Sequence, residues 1–186
     1  EVSIGLSHLA PDHPLNEQRR IVAATVGGVR VVSAYLPNGE SLESDKFPYK
    51  LEFFRELRNY LDATFEPEGK LCLCGDFNVA INDIDLYNPE ERGESILVSS
   101  KERGALGEVL DFGLADCFRL HNKEQGRYSW WDYRGGMYWK GEGMRIDYLW
   151  ATRPLADLCV ASDIDESPRR WKRPSDHTVV WADFDV

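Results

Sequence analysis

Apolar residues along this chain recur at two periods, and the two periods fall in different stretches. Residues 20–36, RIVAATVGGVRVVSAYL, form two β-rich runs on either side of Gly27-Gly28, the composition of a two-residue hairpin turn with positive φ at both positions. Counted by twos, Val29, Val31, Ser33 and Tyr35 share one face of the second run. In residues 47–61 the period changes: Leu51, Phe54, Leu57 and Leu61 recur at helical spacing, and Pro48 suits a first helical turn. A second helix is predicted over 99–112. Ser99 and Glu102 have capping-box spacing, Leu106, Val109 and Leu110 make a stripe, and Gly113 suits the C-terminal cap. Short strands are predicted at 71–74, 114–118, 128–131, 145–151, 158–163 and 178–184. With no repeat, low-complexity tract or linker, hairpins and short strands broken by a few helices predict an α/β sandwich, sheets packed together with helices outside.

Length supports one domain over residues 1–186, with a sizeable core. Apolar residues at 42 % and charged residues at 29 % match an ordinary globular protein, and no apolar run approaches the roughly 18–20 residues of a bilayer span. The opening EVSIGLSHLA has neither the layout of a secretory signal nor a Met, the two methionines being Met137 and Met144. Residue 1 is therefore not expected to be the start of the gene product. Cys72, Cys74, Cys117 and Cys159 form no CxxC pair and are expected as small buried thiols in a reducing compartment, the cytoplasm. A net charge of −10, from 32 acidic and 22 basic residues, argues against a broad basic surface for nucleic acid. PRRWKRP at 168–174 is the local exception.

Polar residues gather where strands end. Asp76 and Asn78 follow the apolar run LCLC, Asp147 interrupts RIDYLW, and Asp176-His177 precede the last strand, while Tyr35 closes the hairpin. If those strands are neighbours, three carboxylates, an amide, an imidazole and a phenol meet in one cleft. Such hard oxygen donors suit Mg²⁺, and with a His and an Asn they suit phosphate-ester hydrolysis. Each residue also has an ordinary reading: turn formers for Asp76 and Asn78, a partner of Arg145 for Asp147, a turn cap for Asp176, a structural histidine for His177, a half-buried core aromatic for Tyr35, and a solvated loop for 168–173.

YLPNGES (35–41), KFPYKLEFFRELRNYL (46–61), GDFNVAINDIDLYNP (75–89), DFGLADCFR (111–119), YSWWDYR (128–134), RIDYLWA (145–151) and PSDH (174–177) together resemble the exonuclease III family of apurinic/apyrimidinic endonucleases, in the family's order across almost the whole chain. The resemblance implies a four-layer α/β sandwich of two mixed sheets, DNase I-like, with the site at strand ends of both sheets. It implies that Asp76 orients or deprotonates the attacking water and that Asn78 holds this water or the scissile phosphate. His177 would contact phosphate with Asp176 fixing its tautomer, Asp147 would assist the metal or the leaving oxygen, and Tyr35 would bond a phosphate oxygen. Mg²⁺, with Mn²⁺ as a substitute, would be held by Asp76, Asn78, Asp147 and Asp176. Trp130, Met144 and Ile146 would wall the pocket for a base-less sugar, although core packing serves equally for Trp130 and Trp131. Arg134, Lys140, Arg145 and the 168–174 segment are the expected phosphate contacts.

One departure stands out. The family's first strand and its metal-binding Glu have no counterpart, and Glu17 leads into the hairpin rather than ending a core strand. The expectation is a chain lacking its N-terminal portion, with a weakened metal site, an exposed sheet edge and exposed apolar surface. The implied function is a monomeric Mg²⁺-dependent DNA-repair phosphodiesterase acting on duplex DNA at abasic sites and 3′ ends. The alternatives are a catalytically inactive nucleic-acid-binding regulator of the same fold and a phosphatase of the wider superfamily.

Overall fold

In a computed structural model, which describes residues 2–186, eight strands form two sheets. The strands are β1 (Val2–Ile4), β2 (Ile21–Val26), β3 (Val29–Tyr35), β4 (Leu71–Asp76), β5 (Leu114–Asp116), β6 (Asp147–Thr152), β7 (Cys159–Asp165) and β8 (Val179–Phe184). Seven helices join them: α1 (Pro14–Glu17), α2 (Lys46–Thr64), α3 (Pro89–Arg92), α4 (Ser100–Leu110), α5 (Cys117–His121), α6 (Met137–Lys140) and α7 (Arg153–Ala156). The larger sheet has the order β1-β2-β3-β4-β6-β5 and is mixed, since β3 and β4 run parallel and its other pairs antiparallel; β7 and β8 make a separate antiparallel pair.

The hairpin forms as its sequence predicts, with φ of +57° at Gly27 and +80° at Gly28. Alternation then divides the large sheet. Val32, Leu73, Trp150 and Tyr148 pack with Phe54, Leu57 and Leu61 of α2 and Leu106 and Val109 of α4. On the opposite face Val29, Cys72 and Ala151 pack with Cys117 and Leu155 and meet Ala182 and Phe184 of β8. The result is a layered α/β sandwich: helices, six-stranded sheet, second sheet. One row, Val2–Ala24–Val31–Cys72–Ala151–Ala115, crosses all six strands on the face toward the second sheet. Its buried end lies under that cover. On the β1–β2 side Val2, Ile4, Val22 and Val26 are 43–68 % exposed, so this part of the apolar face is uncovered.

Three predicted elements differ. The strand expected over 114–118 stops at Asp116, whose carboxylate accepts the Arg119 N–H at 3.2 Å and caps α5. Residues 128–131 form no strand; Trp130 makes isolated bridges to Met144 and His177. Strand β6 starts at Asp147, so Arg145 and Ile146 precede it.

Arg145 corrects a functional expectation. It is 1 % exposed, its Nε donates to Asp85 at 2.9 Å and an Nη donates to Asp116 at 2.7 Å, and its guanidinium lies over the Tyr148 ring. A cation so enclosed does not reach a DNA backbone. Burial disfavours its charge, and Tyr148, Asp116 and Asp85 more than offset this, raising its pKa. It holds the 80–86 loop against β5 and β6, together with Arg119, which also donates to Asp85. Arg145→Met leaves the fully buried Asp85 with Arg119 alone and should lower stability by about 3–5 kcal/mol, the cost of breaking a buried ion pair. Urea denaturation checks this, and an unchanged midpoint would contradict it.

Candidate active site at the strand ends

Strand β4 ends in Gly75-Asp76 because β3 passes too close for any other residue at 75. Gly75 has φ +130°, and a Cβ there would fall 1.9 Å from the Ala34 carbonyl oxygen. This close approach sets Tyr35 beside Asp76 across the parallel pair, and Asp147 is the antiparallel partner of Asp76 on its other side. Tyr35, Asp76 and Asp147 thus occupy one row across three strands, on the face toward the second sheet.

Two carboxylates directly opposite each other are unfavourable unless their surroundings compensate. Asp76 accepts the Asn78 backbone N–H at 2.8 Å and the Asn78 side-chain amide at 3.0 Å. Asn78 sits in the left-handed region at φ +51°, just beyond the strand, so the turn brings it back onto Asp76 and not the strand alternation. Its amide also donates to the Leu36 carbonyl and its oxygen accepts from Asn38, both at 3.0 Å. That oxygen thus already accepts one hydrogen bond, from the neighbouring loop.

The Ser129 hydroxyl donates to Asp147 at 2.6 Å, and its Oγ accepts the backbone N–H groups of Ile146 and Asp147 at 3.1 and 3.0 Å. His177 Nδ1 lies 2.9 and 3.1 Å from the two Asp147 oxygens, which leaves Nε2 facing Asp76 at 4.0 Å. Asp147, not Asp176, therefore fixes the imidazole. Asp176 instead accepts the Trp130 indole N–H at 3.1 Å. It anchors the ring that, with Met144, Tyr87 and Arg92, lines a pocket of about 450 Å³. Ile146, 1 % exposed, lies in the cluster of Ala80, Leu86 and Leu97 beneath Met144 and does not line that pocket.

The electrostatics follow. Burial, then the charge of Asp147, raises the Asp76 pKa to about 7 against the opposing pull of His177 and the Asn78 N–H. Burial works against the His177 imidazolium, and its hydrogen bond and charge contact with Asp147, helped by Asp76 and Asp176, outweigh this and raise its pKa. Asp76, Asp147 and His177 each offer a ligand atom, all within 4.8 Å of one another, so the donor set can take a cation. Glu17 is exposed in α1 and is not one of the three donors of this cluster.

The expected surface residues divide. Tyr35 is half exposed with the Arg20 guanidinium 4.7 Å over its ring, and Arg134, Lys140, Arg170, Lys172 and Arg173 are exposed. Arg169 is not: it is 5 % exposed, 5.0 Å from the Tyr138 ring and 5.5 Å from Trp131. It clamps the 168–174 segment to the 131–138 loop. Ser129, Asn38 and Lys50 escaped notice in the sequence. Only Ser129 left a trace, as a small polar residue inside an aromatic run.

The chain is 32 % identical over 179 residues to exodeoxyribonuclease III of Haemophilus influenzae, covering 90 % of this chain and 67 % of that protein. It superimposes over its full length on a 3′-5′ exonuclease from Neisseria meningitidis (TM-score 0.93, 42 % identity) and on an AP endonuclease from Archaeoglobus fulgidus (TM-score 0.92, 34 % identity), covering 71 % of each. The chain thus spans about two thirds of the length of these relatives. The model of the endonuclease/exonuclease/phosphatase family matches residues 6–177. By that match and by these relatives, the chain belongs to the endonuclease/exonuclease/phosphatase family, in its exonuclease III-type branch.

Proposed function

We propose that this chain carries the centre of a Mg²⁺-dependent DNA-repair phosphodiesterase that cleaves duplex DNA 5′ to abasic sites and trims it from 3′ ends, acting as a cytoplasmic monomer. The observation that carries this is the placement of Asp76 and Asp147 as direct cross-strand partners, with His177 completing the cluster. Two carboxylates held this close form a site that gains by holding a cation. Oxygen donors suit Mg²⁺, and Mn²⁺ tolerates the imidazole beside them. Such an ion, when bound, supplies positive charge to a phosphoryl oxygen.

The protein groups do the remaining work. Asn78 fixes the Asp76 carboxylate, which is placed to take a proton from the attacking water. Asp147 fixes Nδ1 of His177, so that Nε2 is free to donate to a phosphate oxygen. Trp130, held by Asp176, and Met144 wall the pocket beside them, which suits a sugar without a base. Among the described residues no helix is long and apolar enough to cross a membrane. We infer that a further β layer, with the family's Glu ligand, covers the apolar face of β1 and β2 in the working domain. The exposure of Val2, Ile4, Val22 and Val26 supports this.

Three outcomes follow. His177→Ala should reduce cleavage of an abasic-site duplex about 100-fold or more; wild-type turnover would reject its role. The panel should include intact duplex with 3′ ends, RNA and inositol phosphates. Preference for inositol phosphates would identify a phosphatase, and RNA binding without cleavage a regulator.

The second concerns pH and metal. The Asp76 pKa is raised from the ordinary 3.8 to about 7, so the stability its proton contributes is full below 3.8 and is lost as pH rises through about 7. In EDTA, melting temperature should fall between pH 5 and pH 8, by less in Asp76→Asn, and Mn²⁺ should restore it at pH 8 in the parent only. Equal pH dependence in the two proteins would contradict this.

The third separates the cations of 168–174. Replacing Arg170, Lys172 and Arg173 with Ser should weaken duplex binding and flatten its salt slope by about one unit per lost phosphate contact. Arg169→Ser should lower the melting temperature instead, because its guanidinium is enclosed by aromatic rings. A flattened slope with Arg169→Ser at unchanged stability would reverse that assignment.

A further inference from the structure

Lys50 is the one lysine whose side chain is wholly buried, 0 % exposed beneath the loops that follow β3 and β4. Its ammonium has three protons, and three acceptors meet them: the Asn78 carbonyl at 2.7 Å, the Asn38 carbonyl at 3.0 Å and a Glu102 oxygen. Asn38 and Asn78 are the two residues whose side chains bond each other, and Asn78 bonds Asp76 twice. One cation thus grips the backbone of both loops at the point where their amides meet, behind the carboxylate and not in front of it.

Glu102, equally buried, fixes Lys50 in turn. Its first oxygen also accepts the Leu97 N–H at 3.1 Å, and its second accepts the Ser99 N–H and hydroxyl at 3.1 and 2.6 Å. The capping box of α4 is therefore one end of a chain that runs Glu102–Lys50–Asn78–Asp76. Fold stability alone is a weak reason for such a pair, because burying two charges costs about as much as their attraction returns. The two carbonyls, and what stands on them, are the better reason.

We propose that Lys50 is a positioning residue of the active centre: its ammonium holds the loops after β3 and β4 together and so sets the orientation of the Asn78–Asp76 pair. This rests on the phosphodiesterase function proposed above. The consequence is specific. Losing the ammonium should leave the substrate-binding surface, which lies on the other side of Asp76, as it was, and should let the Asn78 turn relax. A misplacement on the order of 1 Å at such a group costs about 100-fold in turnover.

The test is Lys50→Met combined with Glu102→Gln, which removes both charges yet keeps an acceptor for the α4 cap. Melting temperature, kcat and KM on an abasic duplex, and hydrogen exchange of the Asn38 and Asn78 side-chain amides by NMR are measured on parent and variant. The expected result is a folded variant with kcat down about 100-fold, KM within about twofold, and both amides exchanging faster. A folded variant with unchanged kcat and unchanged amide protection would overturn the proposal and leave Lys50 a core ion pair only. Should the Met variant fail to fold, Lys50→Gln with Glu102→Gln keeps an amide donor in place and is read by the same measurements. If the parent, measured in the complete working domain, cleaves no nucleic acid, the functional proposal fails, while amide exchange still decides whether Lys50 holds the Asn78 turn.

Discussion

Asp76 and Asp147 repel each other from adjacent antiparallel strands, and much of what surrounds them is arranged around that repulsion. Neither carboxylate can turn away, because each stands at a fixed register position with a donor behind it: Asn78 for one, Ser129 for the other. His177 comes from outside the six-stranded sheet, just ahead of β8, and brings the balancing proton. The second sheet therefore does more than cover apolar surface. It delivers an imidazole that joins Asn78 and Ser129 in making two opposed carboxylates tolerable, so the packing of Ala182 and Phe184 on the large sheet also positions a functional group.

Local order in this molecule was legible from sequence, and convergence across the fold was legible only in part. The Gly27-Gly28 turn and the Ser99–Glu102 capping box are determined by neighbours in the chain, and both formed as expected. The strand ends bearing Asp76, Asp147 and His177 stood out because polar residues interrupted apolar alternation. Pairing was another matter. Asp176 is next to His177 in the chain, yet it bonds Trp130, while Asp147, 30 positions away, bonds the imidazole. Residues 114–118 have strand composition, but the Asp116 side chain caps the Arg119 N–H, and a helix starts there. Arg145 beside Asp147 looked like a surface cation or its partner; only the tertiary fold brings Asp85 and Asp116 to it.

A similar divergence runs through the basic residues. In a chain of net charge −10 every cation invites assignment to a polyanion. Yet Arg145 and Arg169, two of the expected contacts, face inward, Arg145 on Asp85 and Arg169 among aromatic rings, as do Arg119 on Asp85 and Lys50 on two carbonyls and Glu102. Those cations fix loops rather than ligands. Of the cations expected to meet phosphate, Arg134, Lys140, Arg170, Lys172 and Arg173 are exposed, and a net charge of −10 denies the surface as a whole a positive field. Attraction at long range is then weak, and recognition depends on contact.

Gly75 has an implication for how this site can change over generations. No side chain of any size fits at 75 while Ala34 stays where it is, since even a methyl group would overlap a carbonyl oxygen of the neighbouring strand. An alanine there would have to part β3 from β4, and that seam is where Tyr35 is aligned with Asp76. Variation can therefore explore the pocket walls and the basic rim one residue at a time, altering what is bound. The spacing of the two strands offers no such gradual route. A lineage can lose it in a single step, and an intermediate form would have to fold with its reactive carboxylate already out of line.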